Sequence, residues 1–184
     1  MRNEGLTLFD ALADLLEYPD AQWPEKFDAC RFQLGAGSAE LSEAFRAFRE
    51  RVGGLPLADL QELYTRTFDL NPVCTPEVGY HLFGDTYKRG VFLARLRETE
   101  GPYALGQGRQ LPDYLPVMLR LVARLADDEL RAALVNECLI PASEKMCDAL
   151  GRADSPYAAL VRTVNGALAR EAAPVVGGCC AAAV

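Results

Sequence analysis

Residues 7–19 read TLFDALADLLEYP. Leu8, Phe9, Leu12, Leu15 and Leu16 recur at the i, i+4, i+7 spacing that lays apolar side chains along one helical face, so a helix is expected from about Leu8 to Tyr18. Both ends are punctuated. Thr7 with Asp10 three residues on has the form of a capping box, and Tyr18-Pro19 stops the helix because proline disfavours helical backbone in the residue before it.

The same period repeats down the chain. Glu25 to Leu34 reads as a shorter helix, with Trp23-Pro24 before it and glycines after. Beyond Ser38, Leu41, Phe45, Phe48 and Val52 share a face that ends at Gly53-Gly54. Pro56 suits the first turn of a helix carrying Leu57, Leu60, Leu63, Tyr64 and Phe68 and ending near Asp69. Leu70 to Gly84, with Pro72, Pro76 and Gly79, reads as a long ordered loop. Asp85 or Thr86 caps a helix to about Glu98, and Glu100 to Gln110 forms a second loop. Pro112 opens a helix with Leu115, Met118, Leu119, Val122 and Leu125 inward. Asp127 starts another through Leu130, Leu134 and Cys138, which Pro141 kinks or divides before Leu150. Ser155-Pro156 introduces a last helix with Tyr157, Leu160, Val161, Val164 and Leu168 inward. No strand alternation competes, so an all-α, single-domain helical bundle with two long ordered loops is expected, spanning residues 1–174, with 175–184 as a flexible C-terminal tail.

Composition narrows the function. A chain of 184 residues, half of them hydrophobic, can bury a core without staples. A net charge of −7 argues against a nucleic-acid surface, which needs clustered Lys and Arg. Acidic residues interrupt the N-terminal apolar run and no cleavage site follows it, so a secretory signal is not expected and a cytoplasmic location is. No apolar run approaches the ~20 residues of a membrane span. Six cysteines lack a CxxC pair, and most are expected as buried thiols; the vicinal Cys179 and Cys180 leave a thiol or metal-carrier role open. A single histidine, His81, precludes a two-histidine metal site and reads as a loop or surface residue. No glycine cluster has the phosphate-loop spacing. Neither catalysis, nor a metal, nor a cofactor of its own is expected.

The informative stretch runs from Leu63 to Leu125. It contains Tyr64-x-x-x-Phe68-Asp69, Gly84-Asp85-x-x-x-Arg89-Gly90 and Leu111-Pro112-Asp113-Tyr114-Leu115-Pro116. Together with the opening LADLLEYPD, these motifs resemble the nitrate reductase delta-subunit (NarJ-type) chaperones, part of a wider family of molybdoenzyme maturation chaperones. The match covers most of Leu6 to Ala126, while the C-terminal third agrees only in being helical. The resemblance implies a cytoplasmic factor that binds the N-terminal leader of a molybdopterin-containing catalytic (alpha) subunit, most closely that of respiratory nitrate reductase, and assists cofactor insertion and assembly. The absence of a long apolar run argues against an integral membrane protein, and a monomer and a homodimer both stay open. The alternative is a helical regulatory or scaffold module without a maturation role.

A leader needs an apolar groove and acidic groups for its Arg or Lys. Tyr64 and Phe68, one turn apart, offer aromatic area, and Asp69, Asp85 and Asp113 offer charge. With Arg89, Pro112 and Tyr114 they form the candidate peptide-binding set. Each also has a structural reading: Tyr64 and Phe68 as core, Asp85 as a helix cap, Asp113 at the positive end of a helix, Arg89 as an internal ion-pair partner. Tyr114 stands where histidine is common in the family, keeping a hydrogen-bonding tip but losing titration near neutral pH.

Overall fold

The computed structural model describes residues 5–35, 39–105 and 110–172. They fold as α1 (Leu8–Leu15), α2 (Trp23–Leu34), α3 (Ala39–Val52), α4 (Leu57–Tyr64), α5 (Val78–Phe83), α6 (Tyr87–Glu100), α7 (Leu115–Val122), α8 (Asp128–Ala133), α9 (Ile140–Arg152) and α10 (Tyr157–Glu171). Among the described residues there is no strand, only one isolated antiparallel bridge between Glu77 and Tyr114. The all-α expectation is borne out. The expected tail, with Cys179 and Cys180, lies outside the described residues.

The apolar faces read from the sequence become one core. α10 packs against α9 and α3, and α1 against α2 and α7. Tyr157 and Phe48 are fully buried and their rings lie 5.5 Å apart, joining α10 to α3. Phe68 continues the aromatic path, 4.8 Å from Tyr157 and 4.9 Å from Tyr64. The capping box of α1 forms as expected: Thr7 Oγ1 accepts from the Asp10 backbone N–H at 3.1 Å, and Asp10 Oδ2 accepts from the Thr7 N–H at 3.1 Å. Ahead of α10 the Ser155 hydroxyl accepts from the Tyr157 N–H at 3.3 Å.

Several boundaries differ from the sequence reading. α1 ends at Leu15 rather than Tyr18, and Leu16 occupies its C-cap. The expected loop from Leu70 to Gly84 contains a 3₁₀ turn (Pro72–Cys74) and α5, so His81 is a helical, half-buried residue whose Nε2 lies 2.7 Å from the Thr75 carbonyl. Gly79, expected as a breaker, sits inside α5, where the space a side chain would fill is taken by Asp113. Pro112 does not open α7; Pro112 and Asp113 form a turn, and the helix starts at Leu115 with Tyr114 as N-cap. The helix expected to kink or divide at Pro141 runs on without a break from Asp128 to Arg152, with Leu134–Leu139 wound as a π segment immediately before α9, which carries the proline in its first turn. Cys30, Cys74 and Cys138 are buried, as small hydrophobes should be, and Cys147 is partly so.

Candidate functional site

Three segments distant in sequence meet at the C-terminal end of α1. Leu16 leaves its carbonyl beyond the last helical turn, where helices need outside donors. The Tyr64 hydroxyl reaches it from the end of α4 at 3.3 Å, and the Tyr114 hydroxyl from the start of α7 at 3.2 Å. The phenol oxygens are 3.0 Å apart. Two protons serve three close approaches, so the hydroxyls share the carbonyl and one another. Burial pushes the Tyr64 phenol up to about 12, and it raises Tyr114 further, so both are neutral donors.

The wall beside them is built by the Glu77–Tyr114 bridge. Val78 N–H donates to the Asp113 carbonyl at 2.8 Å, and Leu115 N–H to the Pro76 carbonyl at 2.8 Å. This turns the Asp113 side chain inward, where it is fully buried. Arg89 from α6 spans the two sides, its Nε donating to Asp113 Oδ2 at 3.1 Å and its Nη2 to Glu77 Oε2 at 2.6 Å. Burial raises the Asp113 carboxyl and Arg89 partly offsets that; a second burial penalty on Arg89 is outweighed by the two acids, which raise it. Asp113 Oδ1 is buried with no hydrogen-bond partner among the described residues. A Cβ on Gly79 would lie 2.7 Å from Asp113 Oδ2 and 3.0 Å from Phe92 Cδ1, so this arrangement requires glycine there.

Across the hollow, α1 is tied to α7 by Arg120, which donates to Asp14 at 2.6 Å and to Glu17 at 2.7 Å. Arg124 adds a bond to Asp10 at 2.6 Å. Together these segments enclose a hollow of about 440 Å³. Glu17, Asp69 and Glu77 give it three carboxylates, Tyr18, Tyr64 and Tyr114 give it aromatic wall, and Pro76 and Gln110 complete the rim. Such a surface attracts a cation with an apolar stem.

The hollow brings together only part of the candidate set. Tyr64, Asp69 and Tyr114 line it. Arg89 and Asp113 stand behind its wall, holding Glu77 in place, and Pro112 is buried in the turn before the bridge. Phe68 is 5% exposed and belongs to the core beneath Tyr64. Asp85 is exposed ahead of α6 and is not among the lining residues; Thr86 occupies the N-cap and turns its hydroxyl to the Phe83 carbonyl at 3.0 Å. Sequence reasoning missed Glu17, Tyr18, Pro76, Glu77 and Gln110. Glu17-Tyr18 was legible as the segment where Pro19 ends a helix, and Pro76-Glu77 lay in the punctuated stretch already singled out. A larger hollow of about 770 Å³ beside Arg51 and Arg66 is lined by charges of both signs, and Arg51 already pairs with Asp154 at 3.1 Å. Among the described residues no group of His, Cys, Asp and Glu is placed to hold a metal, and no helix is long and apolar enough to cross a membrane.

Residues 34–160, two-thirds of the chain and including the whole Tyr64 to Pro116 constellation, match the family described as nitrate reductase delta subunit. The chain belongs to that family. The match begins later and reaches further into α10 than the motifs alone had indicated. A relative from Bacillus subtilis (strain 168), named "Probable nitrate reductase molybdenum cofactor assembly chaperone NarJ", is 30% identical over 162 residues, which is 87% of each chain. That relative is named for assembly, not for catalysis.

Proposed function

We propose that this chain is an assembly chaperone for a nitrate reductase or a close molybdoenzyme relative, and that it binds the N-terminal leader of the catalytic subunit while that subunit receives its cofactor. Family membership and the chaperone relative support the assembly role. The observation that carries the leader-binding part is the hollow at the end of α1, with three carboxylates around an aromatic wall. A leader offers the matching chemistry, basic side chains with aliphatic stems on a segment that is extended or helical. The cofactor belongs to the partner enzyme; the chaperone's work is to hold a peptide and to release it.

The test is titration calorimetry of the purified chain with the leader of the catalytic subunit encoded beside it, against a scrambled peptide of the same composition. Saturable binding to the leader at micromolar affinity or better, weakened by salt, is expected. Equal binding of leader and scrambled peptide would reject the leader reading and favour a scaffold that uses the same surface for a constitutive partner.

A further inference from the structure

Two of the three carboxylates in the hollow are already engaged: Glu17 accepts from Arg120 at 2.7 Å and Glu77 from Arg89 at 2.6 Å. Asp69 accepts from no side chain among the described residues and is exposed. It ends the π-turn Thr65–Asp69, in which the Leu70 N–H closes back on the Thr65 carbonyl at 3.0 Å, and π-turns of this kind re-aim the residues they carry. The next residue, Leu70, is 74% exposed, a large apolar side chain left in water. Tyr18, 51% exposed, stands edge-on to Tyr64 at 5.4 Å. It walls both the acidic hollow and a second, shallower depression of about 440 Å³ lined also by Ala58, Gln61, Thr65 and Leu70, with Glu62 and Arg66 as charges of opposite sign.

An acidic hollow and an apolar shelf with one tyrosine between them form a two-part site. We infer that the site reads a pair of side chains on one face of its guest peptide: an Arg or Lys that enters the hollow and pairs with Asp69, and a large aliphatic or aromatic residue that covers Leu70 against Tyr18. The inference rests on the reading of the hollow as a leader site, and adds the shelf and the polarity of the guest. Asp69 takes the guest's cation because its neighbours' charges are spent on the chain's own arginines. Leu70 and Tyr18 gain most from an apolar cover because they begin exposed. In a helical guest the two side chains stand at i and i+4 or i and i+3; in an extended one, at i and i+2.

The probe is the same leader peptide, together with variants in which each Arg or Lys is replaced by Gln and each Leu, Ile or Phe by Ser, titrated against the wild type, Asp69→Asn, Asp69→Lys and Leu70→Ser. Asp69 and Leu70 are exposed, so these variants should keep the wild-type circular dichroism and melting temperature. Phe32→Ser is the control, since Phe32 is 78% exposed on α2 and lines neither depression. Expected are a loss of about tenfold for Asp69→Asn and more for Asp69→Lys, with one basic-to-Gln change in the leader costing as much and adding nothing to Asp69→Asn. Leu70→Ser should lose about tenfold and couple in the same way to a single apolar position at one of the stated spacings. If the leader binds the wild type but is indifferent to Asp69→Lys and Leu70→Ser, the two-part site is wrong while leader binding stands. Should the leader not bind the wild type at all, both fall.

Discussion

Replacing Gly79 by alanine sets two effects of known sign against each other. Gly79 lies within α5, where alanine is favoured over glycine by about 1 kcal/mol on helix propensity alone. Against that, the added Cβ would meet Asp113 Oδ2 at 2.7 Å, Phe92 Cδ1 at 3.0 Å and Arg89 Cγ at 3.3 Å. None of these atoms is free to swing away: Asp113 is fully buried, Phe92 is 2% exposed, and Arg89 is held at both ends by Asp113 and Glu77. Overpacking of a closed site costs about 1–3 kcal/mol, and displacing the Asp113 carboxylate from Arg89 weakens a charge-assisted bond worth roughly 1.5–3 kcal/mol. The clash should therefore win, leaving Gly79→Ala destabilised by about 1–3 kcal/mol, an order set by the same overpacking range. Urea denaturation followed by circular dichroism measures it. A variant more stable than wild type, as propensity alone demands, would refute the close packing of α5 on Asp113 and with it the account of how Glu77 is positioned.

Four further outcomes follow from the same contacts. Phe68→Ala should cost about 3–5 kcal/mol of stability because Phe68 packs against Tyr157 and Tyr64 in the core, whereas Phe68→Leu should fold and bind peptide nearly as wild type; urea denaturation and calorimetry separate the two. Tyr64→Phe and Tyr114→Phe should each cost about 1 kcal/mol, and the double variant more than their sum, because only then does the Leu16 carbonyl lose its last phenol donor; simple additivity in a double-mutant cycle would contradict the shared carbonyl. Burial pushes the Asp10 carboxyl up, but bonds from Arg124 and Thr7 outweigh it and leave it below the ordinary 3.8. Its contribution is thus complete above 3.8 and lost as pH falls through the depressed value, so Asp10→Asn should narrow the stability difference between pH 7 and pH 3 in urea titrations. Asp113→Ala, which strands Arg89 beside Glu77 alone, should destabilise more than Asp113→Asn, which keeps an acceptor for Arg89 Nε; equal losses in thermal melts would show that the bond to Arg89 is not what Asp113 supplies.

The helices were legible in the sequence because each buries one apolar stripe, and a stripe with period 3.6 is visible without any partner. Leu41, Phe45, Phe48 and Val52 are all buried, as their spacing required. What misled was punctuation. Gly79 resembles a loop residue, yet it is there for Asp113 Oδ2, and the Pro76 carbonyl outside the helix accepts from Leu115. Both partners lie more than thirty residues away in the chain, and no local pattern carries them. The motif residues divided for a similar cause. Tyr64 and Phe68 are one turn apart, equally buried and both packed on Tyr157, and what separates them is that Tyr64 also lines the hollow and turns its hydroxyl to Leu16. Asp113 is expected as a peptide-binding acid, or else at the positive end of a helix, but the bridge to Glu77 turns it inward, where its partner is Arg89. Glu17 and Glu77 gave no signal because a lone glutamate at the end of a helix or in a loop looks like solvent-facing charge.

The clasp on the Leu16 carbonyl also bears on when the hollow can exist. Tyr64 and Tyr114 stand 48 and 98 residues from Leu16, and 50 from each other. Closing the longer loop costs only about 0.6 kcal/mol more than closing the shorter, so length is a weak obstacle to stability. Its effect is on rate, since contacts of such separation slow folding more than they weaken the folded state. Until residues 16, 64 and 114 have met there is no aromatic wall, and the three carboxylates are scattered along an incomplete chain. A half-folded copy therefore lacks the hollow on which the proposed peptide binding depends.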